Sequence, residues 1–204
     1  MTKKLFISFD NISFGFKGEA VLQNFSFAAP EGKHTLLKGE SGSGKSTILK
    51  LLLGFLKPDT GSIMLEGQKI HPQKIRPQTA WLPQDLNLGN GSVQEVMQKP
   101  FQFKVNRSHK SLDFAGVLES LGVPASNLDK LFRDLSTGQR QRVGLAICHL
   151  LDKPLLLLDE PTAALDHLSK KKVADVVLNS KRTIISTSHD PFWVQLADNI
   201  IELD

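Results

Sequence analysis

Apolar and polar residues alternate at the start of the chain. Leu5-Phe6-Ile7-Ser8-Phe9, then Ile12-Ser13-Phe14 and Phe25-Ser26-Phe27, have the period of two expected of half-buried strands. Pro30-Glu31-Gly32 marks a turn, and His34-Thr35-Leu36-Leu37 reads as a short strand running into a glycine-rich loop. The period then changes. Ile48, Leu49, Leu52, Leu53 and Leu56 fall on one face of a helix that Pro58-Asp59-Thr60-Gly61 stops. Two further strands are predicted near Ile63-Met64-Leu65 and Thr79-Ala80-Trp81-Leu82.

From about Ser92 to Phe132 the pattern predicts helices without strands. One begins at Val93 with Val96-Met97, and another carries Phe114, Val117, Leu118 and Leu121 before Gly122 and Pro124 end it. The alternation of strand and helix then resumes. It predicts a helix over Thr137–Leu151, a buried strand Leu155–Leu158, a helix near Ser169–Leu178 and a strand Thr183–Ser186. A short helix after Pro191 and a strand Ile200–Leu203 follow. Strands alternating with helices predict an α/β protein with a mostly parallel sheet covered on both faces. We expect one domain over residues 1–204: an α/β core (1–84 and 133–204) with an N-terminal antiparallel β portion, and an inserted helical subdomain over about 85–132.

Composition narrows the function classes only a little. With 40% hydrophobic and 23% charged residues, the 204-residue chain is globular rather than disordered, collagen-like or coiled coil. Its +4 charge is scattered. The one tight basic run, Lys170-Lys171-Lys172, has no interleaved aromatics and reads as a solvated helix face, so no nucleic-acid partner is expected. A single cysteine, Cys148, in the apolar run Leu145-Ala146-Ile147-Cys148, fits a buried side chain in a reducing compartment. The start of the chain does not resemble a signal peptide, and no apolar run reaches the length of a membrane-spanning helix. His34, His71, His109, His149 and His167 show no metal-ligand spacing.

The chemistry lies in three stretches. Gly39-Glu40-Ser41-Gly42-Ser43-Gly44-Lys45-Ser46 fits G-x-x-x-x-G-K-[ST] between a predicted strand and a predicted helix, the setting a phosphate-binding loop requires. Its glycines let successive N–H groups turn toward phosphate oxygens, and the following helix presents its positive end. Lys45 is expected to reach the β- and γ-phosphates and the Ser46 hydroxyl to ligate Mg²⁺. In Leu155-Leu156-Leu157-Leu158-Asp159-Glu160 a buried strand ends abruptly in two carboxylates, where parallel sheets bind ligands. Asp159 can hold the metal through water, and Glu160 can orient or deprotonate an attacking water. Ser136 with Gln139 forms a capping box for the helix that follows. Capping leaves the rest of that string unexplained.

That string, Leu135-Ser136-Thr137-Gly138-Gln139-Arg140-Gln141-Arg142, resembles the signature motif of ABC-transporter nucleotide-binding subunits. Other family landmarks follow in order. Ala80-Trp81-Leu82-Pro83-Gln84-Asp85 resembles the glutamine loop, Asp159-Glu160-Pro161-Thr162-Ala163-Ala164-Leu165-Asp166 the acidic strand with its D-loop, and Ser186-Thr187-Ser188-His189-Asp190 the switch-histidine segment. The resemblance runs from about Leu5 to Leu203 and implies a P-loop NTPase that binds ATP and Mg²⁺ and hydrolyses ATP. It implies that Glu160, His189 and Gln84 act in catalysis, and that Ser46, Gln84 and Asp159 hold the metal. Phe16, the loop from Gly39 through Glu40, Ser41, Gly42, Ser43, Gly44, Lys45 and Ser46 to Thr47, and Ser136, Gly138 and Gln139 would bind nucleotide.

The resemblance further implies head-to-tail dimerisation around ATP, as a homodimer or with a second ABC ATPase. A separate transmembrane permease subunit is expected, with the chain peripheral on the cytoplasmic face of the cell membrane. The stretch Gly89-Asn90-Gly91-Ser92-Val93 resembles small cassettes of exporter-like systems. The alternative is a non-transport ABC-superfamily ATPase acting on nucleic acid or the ribosome. The stretch from Gln84 to Ser136 is too short for the coiled-coil or zinc insertions of DNA-repair members. Three positions depart from the family. With no tyrosine, the adenine platform falls to Phe16, with Phe14 as a rival; Thr137 replaces a glycine; Ala163 replaces a common serine.

Overall fold

The structure, a computed structural model, describes residues 7–106, 111–179 and 181–203; Leu5 and Phe6 of the expected first strand, and His109, lie outside them. The two alternating N-terminal stretches form one strand, β1 (Ile7–Phe16), paired antiparallel with β2 (Glu19–Ala29). A register shift between Phe9 and Ile12, with Asn11 at φ 49°, inserts the extra residue of a bulge. The buried set thereby moves from Ile7 and Phe9 to Ile12 and Phe14, which is why the alternation changes parity there. Lys17 and Gly18, both at positive φ, make the tight turn into β2, whose first residues the sequence pattern does not predict.

β3 (His34–Gly39) leads through the glycine loop into α1 (Lys45–Leu52). This helix stops one turn before the expected Leu56, because Gly54 at φ 65° follows the cap and ends it. Then come β4 (Thr60–Leu65), β5 (Gln68–Lys69) and β6 (Thr79–Leu82). Between β6 and Thr137 the described residues contain short helices and single 3-10 turns, chiefly α2 (Val93–Gln98) and α3 (Phe114–Ser120), with one isolated bridge from Ser92 to Leu131. The chain ends with α4 (Thr137–Leu150), β7 (Leu155–Asp159), α5 (His167–Leu178), β8 (Thr183–Thr187), α6 (Pro191–Val194) and β9 (Asn199–Leu203).

Two sheets result. One is antiparallel, in the order β2-β1-β4-β5; the other is parallel, in the order β6-β7-β8-β3-β9. Every residue of β7 is buried, as a central parallel strand requires. Its alternate leucines divide the core. Leu156 and Leu158 join Leu36, Ile184 and Val143 with Val96, Met97 and Leu118 of the helical stretch, so that stretch shares a core with the sheet. Leu155 and Leu157 face the other way, with Leu37, Ile185, α1 and the antiparallel sheet. Arg142 ties α4 to the end of α3 by donating to the carbonyls of Leu121 and Gly122. The carboxyl ends of β3, β7 and β8 therefore open together on one edge.

Candidate active site

The glycine loop is shaped by close approach. A Cβ on Gly39 would lie 2.5 Å from Ser43 Oγ and 2.6 Å from the Leu203 carbonyl oxygen, so no larger residue fits there. Gly42 and Gly44 take φ of 93° and 95°, in the left-handed region that glycine enters freely. Lys45 Nζ reaches back over the loop and donates to the carbonyls of Gly39 at 2.8 Å and Glu40 at 2.6 Å. Its charge is thus held at the mouth of the loop, beside the first turn of α1.

The carboxylates stand at the end of β7. Asp159 is 6% exposed, and its Oδ1 accepts a hydrogen bond of 2.7 Å from the Thr187 hydroxyl. Glu160 adopts φ 51°, uncommon for a residue with a Cβ. Its N–H donates to Thr187, to the hydroxyl at 3.0 Å and the carbonyl at 3.2 Å, while its own carbonyl accepts from Gln141 Nε2 at 2.6 Å. Its Oε1 lies 3.1 Å from Nδ1 of His189, an exposed ring, and its Oε2 is buried with no partner among the described residues. A buried carboxylate oxygen left without a donor is poised to accept a proton or a hydrogen bond from what enters the site.

The histidine segment is tethered from below. Asp190 accepts from the Thr162 hydroxyl at 2.7 Å and pairs with Lys170 at 2.8 Å. Burial pushes the Asp190 carboxyl up, but hydrogen bonds from Lys170, Thr162 and the Phe192 N–H outweigh it and hold the group below the ordinary carboxylate value.

These elements enclose a cavity of about 630 Å³. Phe16, Gly39, Glu40, Ser41, Gly42, Gly44, Lys45, Ser46 and Thr47 line it, and so do Gln84, Asp159, Glu160 and His189. Val21, which the sequence pattern does not single out, also lines it, as does Ala163 of the D-loop. Phe16 is 49% exposed on the cavity, whereas Phe14 is 8% exposed in the core. The Ser43 side chain does not line the cavity: its hydroxyl is buried beside Gly39.

Ser136, Gly138 and Gln139 also lie outside the cavity. Ser136 and Gln139 satisfy each other in a complete capping box. Gly138 packs against the D-loop, where a Cβ would sit 2.6 Å from the Ala164 carbonyl oxygen. The Thr137 hydroxyl accepts from Arg140 at 3.4 Å on its own helix. Thr187 and Gln141 were not legible as site residues. Both act through contacts between segments far apart in sequence.

Ser46, Gln84 and Asp159 bring hydroxyl, amide and carboxylate oxygens to one cavity, donors that suit a small hard cation such as Mg²⁺. Among the described residues no group of three or more His, Cys, Asp or Glu could hold a metal by itself.

A family model described as ABC transporter matches residues 22–163. The chain is 35% identical, over an alignment of 211 residues, to an ATP-dependent lipid A-core flippase of Idiomarina loihiensis, covering 97% of this chain and 36% of the flippase. It thus spans about a third of the length of such relatives. It is 32% identical to an ergothioneine transport ATP-binding protein of Helicobacter pylori, with 98% of each covered. A bacterial Atm1-family ABC exporter with ATP bound superposes with a TM-score of 0.86 at 28% identity, over 100% of this chain and 38% of the exporter. An ATP binding subunit of an ABC transporter shares the fold at a TM-score of 0.85 and 23% identity, over 97% of this chain and 85% of that one. The cavity, its phosphate loop and these relatives lead to one conclusion: the chain belongs to the ABC transporter family, as an ATP-binding domain.

Proposed function

We propose that the chain hydrolyses ATP as one half of a head-to-tail pair and so drives a substrate through a membrane-spanning component on a separate chain. One observation carries this. Phosphate loop, both carboxylates, Gln84 and His189 line a single cavity, while Ser136, Gly138 and Gln139 lie outside it. The signature residues would then serve the nucleotide of a partner ATPase, identical or related, and close both sites at once. Nucleotide that binds the closed pair more tightly than the open one shifts the population toward closure.

Within the site, Phe16 stacks on adenine, and the loop N–H groups from Gly39 to Thr47, with Lys45, hold the phosphates. Ser46, Asp159 and Gln84 would hold Mg²⁺, which when bound neutralises charge on the β- and γ-phosphates. Glu160 orients a water in line with the γ-phosphorus. As the water oxygen bonds to phosphorus, the bond to the ADP oxygen breaks and the water proton passes to the Glu160 carboxylate. His189, 3.1 Å from Glu160, fixes that carboxylate and reaches toward the γ-phosphate.

The Helicobacter pylori relative, named a transport ATP-binding protein and matched over 98% of each chain, supports a role as the ATP-binding part of a transporter. Relatives named for lipid A-core flipping support work at a membrane, here its cytoplasmic face. Among the described residues no helix is long and apolar enough to cross a membrane. The segment around Gln84 and the helical stretch over about 85–132 would couple closure to that partner.

The test is Glu160→Gln. Fluorescent-ATP titration is expected to give affinity within about threefold of wild type, while steady-state turnover falls by about 100-fold or more. Turnover within about threefold of wild type would overturn the assignment.

A further inference from the structure

Thr187, the last residue of β8, is fully buried and pairs in register with Asp159 of β7. Its neighbours Ile184 and Ile185 fill core on both faces of the strand, and packing alone would be met by a valine. The hydroxyl does something packing does not require. It has one proton, which it gives to Asp159 Oδ1 at 2.7 Å, and its oxygen accepts the N–H of Glu160 at 3.0 Å. The donor and acceptor roles are thereby fixed, and both carboxylate-bearing residues hang on one oxygen. Asp159 lines the cavity, and the bond to Oδ1 fixes how its carboxylate is turned there. Glu160 needs such a hold because its left-handed φ of 51° is disfavoured.

We propose that Thr187 is a positioning residue for hydrolysis: one hydroxyl aims Asp159 at the cation and Glu160 at the water. This rests on the proposed roles of those two carboxylates. Partners that orient a metal ligand are worth about 10- to 100-fold in metal affinity or activity when removed.

The test compares Thr187→Val, which keeps the shape and loses the hydroxyl, with Thr187→Ser, which keeps the hydroxyl. Thr187→Ala replaces the valine variant if that one does not fold. Two readouts are taken on the whole chain: kcat and KM for ATP, and fluorescent-ATP affinity as Mg²⁺ is titrated from a chelated baseline. In Thr187→Val, kcat is expected to fall about tenfold with KM nearly unchanged, and the Mg²⁺ midpoint to rise about tenfold. Affinity in chelator should stay put, and serine should restore most of both effects. A valine variant within about twofold of wild type in kcat and midpoint overturns the proposal, as does equal loss in valine and serine with the midpoint unmoved. Glu160→Gln, run alongside, separates the failures. If it abolishes turnover while Thr187→Val does not matter, only the role of Thr187 falls. If it leaves turnover intact, the reading of the base falls.

Discussion

Phe14 and Phe16 lie two positions apart on β1, where a regular strand would put them on one face, yet one is core and the other lines the cavity. The register shift between Phe14 and Gly15 turns the end of the strand, and the rings meet edge to face at 4.8 Å. Their substitutions should therefore separate. Phe16→Ala is expected to weaken adenine nucleotides by roughly 1–3 kcal/mol, taking base stacking as the guide, with little effect on stability. Phe14→Ala should cost roughly 3–5 kcal/mol of stability instead. Nucleotide titration and urea unfolding of both variants check this, and the reverse order would move the platform to Phe14. At this scale the sequence was most legible where chemistry is packed into short strings, as in Gly39–Ser46 and Asp159-Glu160. It was least legible where one residue reaches another across the fold. Gln141 looks like one more polar helix position until its amide is seen on the Glu160 carbonyl, and Thr187 lies one residue past the strand expected from the pattern.

Among the elements, the buried strands and α4 were readable because their periods are long and unbroken. Boundaries were less so. The bulge in β1 and the early stop of α1 at Gly54 come from backbone geometry, not hydrophobic pattern. One polar chain ties β3, β8 and α6 together. The Leu196 carbonyl can only accept, so His34 Nδ1 donates to it at 3.2 Å, leaving Nε2 to accept from the Ser186 hydroxyl at 2.7 Å. Ser186 in turn accepts from Trp193 Nε1 at 3.0 Å, so every group is satisfied with a neutral ring. Burial pushes His34 below the ordinary imidazole value, against the opposing pull of the Leu196 carbonyl and the Asp198 charge. The unfolded chain therefore takes up this proton at a higher pH than the folded one does. Stability from this group is complete above the unfolded value and declines as pH falls from there through the lower folded value. Urea midpoints at about pH 7.5 and about pH 5.5 should show this decline in the wild type and a smaller one in His34→Gln. The comparison of slopes matters because burial also lowers His149. Equal slopes would remove His34 from the linkage.

At the scale of the molecule, two sheets sandwich α1 and its loop against a second core that the helical stretch shares with the parallel sheet. The layered α/β arrangement was legible from the order of strands and helices. The division of β7 between two cores was not, because a run of leucines carries no face. The arrangement leaves the nucleotide cavity bounded on one side and the signature at the N-terminus of α4 on another surface, bound to its own D-loop through Gly138 and Ala164. On the proposed function, a site so divided works when two such surfaces meet across nucleotide. Sedimentation velocity of the Glu160→Gln variant with ATP and Mg²⁺ measures that meeting directly. A dimer that forms with ATP and is absent with ADP is the expected result. A variant that binds ATP and sediments as a monomer at every protein concentration would contradict the account.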